Sequence, residues 1–216
     1  MRLALIDLDR TLISVNSASG WIRRELRMGF LSPKQALVGA WWIGGYQLGF
    51  ARMESAIEQA VASLKGEQEA VIRDRTHAFW REEVASTVRP GARRAIAAHQ
   101  AAGDKVVLLT SSSTYMSEIC AAELGLDGWL CNRFEVNEGL FTGRVHGQLC
   151  FGAGKVHHAQ KLALELGLSL ADAVFYTDSY SDLPGLEAVG EPVVVAPDPR
   201  LKREARKRGW RVETWD

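Results

Sequence analysis

Two clusters of acids dominate the chemistry available to this 216-residue chain. The first is Asp7-Leu8-Asp9-Arg10-Thr11, which sets two carboxylates two residues apart at the end of a short apolar run, residues 2–7. Acids held that close repel each other, so they suit a divalent cation, which takes oxygen ligands and also neutralises an approaching phosphate. The second cluster, Asp178 and Asp182, follows another such run, residues 173–177. Between the two lie groups suited to an anion: Thr110-Ser111-Ser112-Ser113, and Lys155 just behind Gly152 and Gly154. Hydroxyls and backbone N–H groups at a passage from strand to helix favour negative charge. A lysine in a first helical turn opposes the macrodipole, so its position asks for a chemical reason.

The elements that must position these groups are legible in the apolar pattern. Residues 2–7, 105–110, 173–178 and 192–196 read as strands buried on both faces of a parallel sheet. Helical patterns alternate with them, at 114–124 and at 155–166, where Val156, Ala159, Ala163 and Leu166 share one face. That alternation predicts an α/β sheet, with ligands at the carboxyl ends of its strands. Pro90 and Gly91 open a further helix that stops near Gly103. Residues 16–88 hold no β run but several helical patterns, at 53–64 and 67–84, and read as a helical insertion. Residues 129–136 and 140–145 flank Asn137, Glu138 and Gly139 as a hairpin would, with the glycine supplying a positive φ. The expected division is a core of residues 1–15 and 89–216 with a cap of residues 16–88.

Composition narrows the function classes. Apolar residues at 47% and charged residues at 24% are globular values. Basic and acidic residues balance at 26 each, so no overall field points to nucleic acid or an acidic membrane surface. The most basic stretch, residues 200–208, carries Leu201 and Ala205 as one apolar seam and reads as a solvated helix. Cys120, Cys131 and Cys150 show no CxxC spacing, which argues against a disulfide framework or structural zinc and for a reducing compartment. Asp7 and Asp9 interrupt the first apolar run before it could act as an export signal, so a cytoplasmic location is expected. The longest uncharged stretch, residues 35–51, contains Gly39, Gly44, Gly45, Gln47 and Gly49 and suits a membrane-spanning helix poorly. No nucleic-acid partner and no integral span are expected; a peripheral membrane contact through this part of the cap is the membrane role left open. His157 and His158 point about 100° apart on a helix, so at most one faces any site, and Trp41, Trp42 and Tyr46 read as packing residues.

Taken in order, DLDRT, LLTSSS, GAGK and the segment from TDSYSDLPGLEAVG to ARKRGW resemble the four motifs of the haloacid dehalogenase superfamily of phosphohydrolases. The likeness is to its phosphoserine-phosphatase-like branch with a small helical cap, and it covers nearly the whole chain. It implies a Rossmann-like parallel-sheet core with an inserted all-helical cap and a small β-hairpin. The activity implied is Mg²⁺-dependent hydrolysis of a small phosphomonoester through an aspartyl-phosphate.

Within that resemblance Asp7 is the nucleophile, and Asp9 protonates the leaving oxygen and later deprotonates water. Thr11 fixes the first loop and belongs with Ser111, Ser112 and Lys155 in the set around the phosphoryl group; Thr110 is the alternative to Ser111, one residue out of register. Mg²⁺ falls to the carboxylates of Asp7 and Asp178 and the carbonyl of Asp9, with Asp182 supporting its waters. Asn16 stands nine residues after the nucleophile, where phosphoserine phosphatases carry a glutamate for the substrate amine, which disfavours phosphoserine; Arg52 lies near their cap arginine. Arg10 occupies a variable position of the motif. The apolar cap around Trp41 and Trp42 leaves room for a phospholipid-type monoester. A phosphoacceptor signalling module is the rival from another class, disfavoured by the acid pair on the first strand and by the helical insertion.

Overall fold

The computed structural model describes residues 1–31, 37 and 53–216. Trp41, Trp42, Tyr46, Arg52 and nearly all of the stretch 35–51 lie outside the described residues. Seven strands form one sheet: β1 (Leu3–Ile6), β2 (Lys105–Ser113), β3 (Gly128–Asn137), β4 (Leu140–His146), β5 (Val174–Thr177), β6 (Glu191–Val195) and β7 (Arg211–Glu213). Their order is β4-β3-β2-β1-β5-β6-β7. β3 and β4 pair antiparallel as a hairpin, and the remaining neighbours pair parallel. The predicted α/β sheet is therefore present. β7 was not anticipated, because three half-exposed edge residues leave too little periodicity to read.

All residues of β1 and β5 are buried, as continuous apolar runs require of strands covered on both faces. Ala4 and Ile6 pack in one layer with Ala92 and Ile96 of the helix Pro90–Ala101 and with Met116, Ile119 and Cys120 of the helix Thr114–Leu124. Leu3 and Leu5 pack in the other, with Ala159 and Ala163 of the helix Ala153–Glu165 and with Leu201 and Ala205 of the helix Pro199–Arg208. This last helix is otherwise solvent-facing, and Asp198 caps it by accepting from Arg200 N and Leu201 N at 2.7 and 2.9 Å. Gly91 has a packing reason: a Cβ there would lie 2.5 Å from Trp215, whose ring belongs to the first layer. In the parallel register Ile6 lies beside both Leu108 and Tyr176, so Asp7 and Asp178 emerge together at the carboxyl edge.

The insertion leaves and returns at one crossing. Ile13 bridges Val88, Ser14 N donates to Thr87 O, and Arg89 N donates to Leu12 O, both at 2.9 Å. Between these points the described residues form the helices Ser17–Arg27, Met53–Ala62 and Glu69–Phe79. Where one helix was expected over 67–84, the winding widens at Trp80–Val84, and Trp80 is buried in the sheet's first layer. The insertion also grips the hairpin: Gly66 N donates to Phe141 O and Glu69 N to Gly139 O, both at 2.9 Å. The hairpin turn sets Glu138 at φ 50° and Gly139 at φ 79°, so two residues, not the glycine alone, take the left-handed region. Among the described residues, no helix is long and apolar enough to cross a membrane. Cys120, Cys131 and Cys150 are free and buried.

Candidate active site

At the carboxyl edge, the first motif bends sharply. Asp9 adopts φ −68°, ψ 128° and Arg10 adopts φ 59°, ψ −6°, within a turn closed by Leu12 N donating to Asp7 O at 3.2 Å and Ile13 N to Leu8 O at 3.0 Å. A left-handed residue that is not glycine costs about 1 kcal/mol, and such outliers gather at functional sites. The turn offers Asp7 on one side and Asp9 on the other, and Ser17 N fixes Asp9 by donating to its Oδ1 at 2.5 Å.

Lys155 is 2% exposed. Its ammonium donates to Asp7 Oδ1 and to Asp182 Oδ2, each at 2.7 Å, joining residues 148 and 27 positions away in the chain. Thr177 Oγ1 donates to the same Asp182 oxygen at 2.7 Å. Thr11 accepts from Asp178 N at 2.9 Å and donates to Asp178 Oδ1 at 3.3 Å, tying the two acidic clusters together. Asp7, Thr11, Lys155, Asp178 and Asp182 thus converge, with Asp9 on the adjoining turn.

The four hydroxyls of the run have different partners. The proton of Ser111 goes to Cys150 O at 2.8 Å. Thr110 is buried and accepts from Ser112 N at 3.1 Å, which leaves its own proton uncommitted. Ser113 caps the helix Thr114–Leu124 by accepting from Met116 N, so the N-cap role belongs to Ser113 and not to Ser111 or Ser112. Thr11 gives its single proton to Asp178 Oδ1, which suits a loop-fixing part.

Two residues escaped the sequence reading. Asn132 is buried, accepts from Cys150 N at 2.7 Å and donates to Ser111 O at 2.6 Å, so it clamps the end of β2 to the loop before Lys155. Its signal was an amide inside a strand of otherwise half-buried pattern. Thr177, at the tip of β5, orients Asp182. His157 and His158 lie outside the bonded cluster; His158 Nε2 sits 2.9 Å from Gln148 O.

Four acids are thus gathered near one buried ammonium, which contacts two of them, Asp7 and Asp182. Burial pushes Asp7 up to about 8; Lys155 partly offsets this, while Asp182 and Asp178 add to it. Burial and the Asp182 charge push Asp178 up to about 7, against the Thr11 hydrogen bond. Burial also raises Asp9, against the Ser17 N–H. Lys155 is held above its usual range: its two carboxylate partners outweigh the burial that opposes its charge. Such an excess of buried carboxylates fits a divalent cation. Among the described residues no three His, Cys, Asp or Glu side chains converge as a ligand set. A cation here would therefore draw mainly on backbone and water oxygens beyond a carboxylate pair, which Mg²⁺ accepts.

A parallel sheet with these acids, hydroxyls and lysine at its carboxyl edge defines an α/β phosphohydrolase. The chain belongs to the haloacid dehalogenase-like hydrolase family, whose model matches residues 4–187. It is similar to phosphoserine phosphatase SerB1 of Mycobacterium tuberculosis, 31% identical over 97% of this chain and 69% of that one. It is also similar to a histidinol-phosphatase of Neisseria meningitidis serogroup C, 27% identical over 97% of each chain. A crystal structure of a Bordetella pertussis Tohama I protein of unknown function matches with a TM-score of 0.90 at 30% identity, covering 98% of this chain and 97% of that one. A substrate-bound phosphoserine phosphatase shares the fold, with a TM-score of 0.74 at 22% identity over 100% of this chain and 94% of that one. The chain is accordingly an enzyme, a phosphoric monoester hydrolase.

Proposed function

We infer that the protein is a Mg²⁺-dependent phosphatase acting on a small phosphomonoester by way of an aspartyl-phosphate on Asp7. The observation that carries this reading is the Lys155 ammonium held 2.7 Å from both Asp7 and Asp182. It aims the buried Asp7 carboxyl group and lowers the cost of its charge, which burial otherwise opposes, as a nucleophile needs. An oxygen of Asp7 attacks phosphorus and the bond to the ester oxygen breaks. Asp9, whose protonated form burial favours, gives a proton to the departing alkoxide. Asp9 then takes a proton from water, whose oxygen attacks the phosphoryl group, releasing phosphate and restoring the Asp7 carboxylate.

Lys155 and the uncommitted protons of Thr110 and Ser112 serve the phosphoryl oxygens; Ser111 supports the loop through Cys150. Asp7 and Asp178 would hold Mg²⁺ with the carbonyl of Asp9, and Asp182 would support its waters. When bound, the cation supplies positive charge against the carboxylates and the incoming phosphoryl group. Thr11 acts by fixing Asp178 to the first loop. Residues 16–88 form the cap and residues 1–15 and 89–216 the core, with the Ile13–Val88 bridge at the boundary.

The relatives' substrates divide on the leaving group. Asn16 spends its amide oxygen on Ser19 N and Ser19 Oγ, at 2.9 and 2.8 Å, and caps the helix Ser17–Arg27. It carries no charge to meet an ammonium, so a phosphoserine-like amine gains nothing there. The test is release of phosphate from p-nitrophenyl phosphate with Mg²⁺ and with chelator. Turnover that needs the metal and disappears in Asp7→Asn is expected, because the amide keeps the volume but loses the attacking charge. Full activity in that variant would remove Asp7 as the nucleophile.

A further inference from the structure

Arg10 is the charged residue of the first motif to which the reaction above gives no part. It sits between the proton donor Asp9 and the loop-fixing Thr11, with its backbone in the left-handed region at φ 59° and its N–H held by Val15 O at 3.1 Å. Glycine is the residue that adopts this conformation without strain. The chain instead places there a long cation, and the side chain is exposed. Among the described residues, no hydrogen bond or ion pair engages the guanidinium. Lys155 differs in this respect, since Asp7 and Asp182 occupy its ammonium. The Arg10 charge nevertheless reaches the site, favouring the ionised forms of both Asp9 and Asp178. A strained position, an uncommitted planar donor and electrostatic reach into the reacting carboxylates together describe a group waiting for an anion.

We propose that Arg10 is a specificity-determining residue that selects phosphomonoesters whose leaving group carries a second anion, a carboxylate or another phosphate. The inference rests on the phosphatase reading above. Asp9 hands its proton to the leaving oxygen, and its chain neighbour Arg10, whose charge acts on Asp9 and Asp178, is assigned to the leaving-group side of the phosphorus. A guanidinium meets a carboxylate or a phosphate through paired N–H donors, which a neutral hydroxymethyl or an imidazole does not match. Among the relatives' substrates, histidinol phosphate lacks a second anion and ranks below phosphoserine on this ground.

Two matched pairs test the idea: 3-phosphoglycerate against glycerol 1-phosphate for the carboxylate, and fructose 1,6-bisphosphate against fructose 6-phosphate for the phosphate. In the wild-type enzyme kcat/KM favours the doubly anionic member of at least one pair by about tenfold or more, and the pair that responds identifies the anion. Arg10→Gly, which suits the left-handed turn, lowers that ratio by about tenfold or more, while Arg10→Lys, which keeps the charge without the paired donors, falls between wild type and Arg10→Gly. Thermal melts of each variant establish that the fold persists. A ratio equal in wild type and Arg10→Gly overturns the inference and leaves the phosphatase reading standing. Equal loss on both members of a pair overturns it too, because that is the mark of a general field and not of recognition. Failure of the wild-type enzyme to hydrolyse any of these esters or p-nitrophenyl phosphate with Mg²⁺ removes the phosphatase reading itself.

Discussion

Replacing Lys155 by methionine tests the electrostatic core of the site without reference to turnover. The ammonium makes two 2.7 Å contacts with Asp7 and Asp182, and all three side chains are buried. Removing one partner of a buried ion pair leaves an uncompensated charge, at a cost of about 3–5 kcal/mol. Here the cost depends on pH, because Asp7 has an escape. Its folded pKa of about 8 lies above its unfolded value near 3.8, so stability from this group is fully present below about pH 4 and is lost as pH rises through about 8. Without Lys155 the folded value climbs further, and the variant loses more on the alkaline side. At pH 8.5 we expect the full penalty of about 3–5 kcal/mol. For a domain of this size that lowers Tm by about 6–20 °C. At pH 5.5 Asp7 is protonated, so its own share of the loss falls to a hydrogen bond, about 1 kcal/mol, beside what the Asp182 pairing contributes at both pH values. Urea unfolding of wild type and Lys155→Met at both pH values, with chelator present, gives the comparison. Equal losses at the two pH values, or a loss under about 1 kcal/mol at pH 8.5, would refute the argument that Lys155 compensates buried carboxylates.

Two further outcomes follow from neighbouring features. Asn132→Ala orphans Cys150 N and Ser111 O, so urea denaturation should register a loss of about 2–4 kcal/mol; a near-neutral result would mean that the clamp between β2 and the Lys155 loop is replaceable by water. Mg²⁺ should raise Tm more at pH 8 than at pH 6, since protons compete for Asp7 and Asp178, whose pKa values lie at about 8 and about 7; an increment unchanged across that range would exclude these two carboxylates as the ligands.

How far the sequence carried the reading depends on where each residue's partners lie. β1, β2, β5 and β6 were legible because a strand buried on both faces leaves an uninterrupted apolar run, and the acids at their ends stood out by contrast. The helix Pro199–Arg208 was legible because its burial is confined to Leu201 and Ala205, four apart. The winding change at Trp80–Val84 was not, because an inward Trp80 serves contacts with the distant sheet and leaves the local period looking helical.

The hydroxyl run Thr110-Ser111-Ser112-Ser113 illustrates the limit most sharply. Four similar residues cannot be told apart by pattern, and β2 extends through all of them. Their roles divide through their partners, one of them far along the chain. Cys150, 39 residues away, takes the proton of Ser111, whereas Thr110 accepts locally from Ser112 N and keeps its own. Asn132 enforces that division by holding both Ser111 and Cys150 from β3, a strand whose sequence gives no sign of chemistry. Which hydroxyl keeps its proton is therefore decided by the loop that delivers Lys155. The same loop sets which hydroxyl remains free and where the ammonium meets Asp7, so a change at Asn132 should disturb both together.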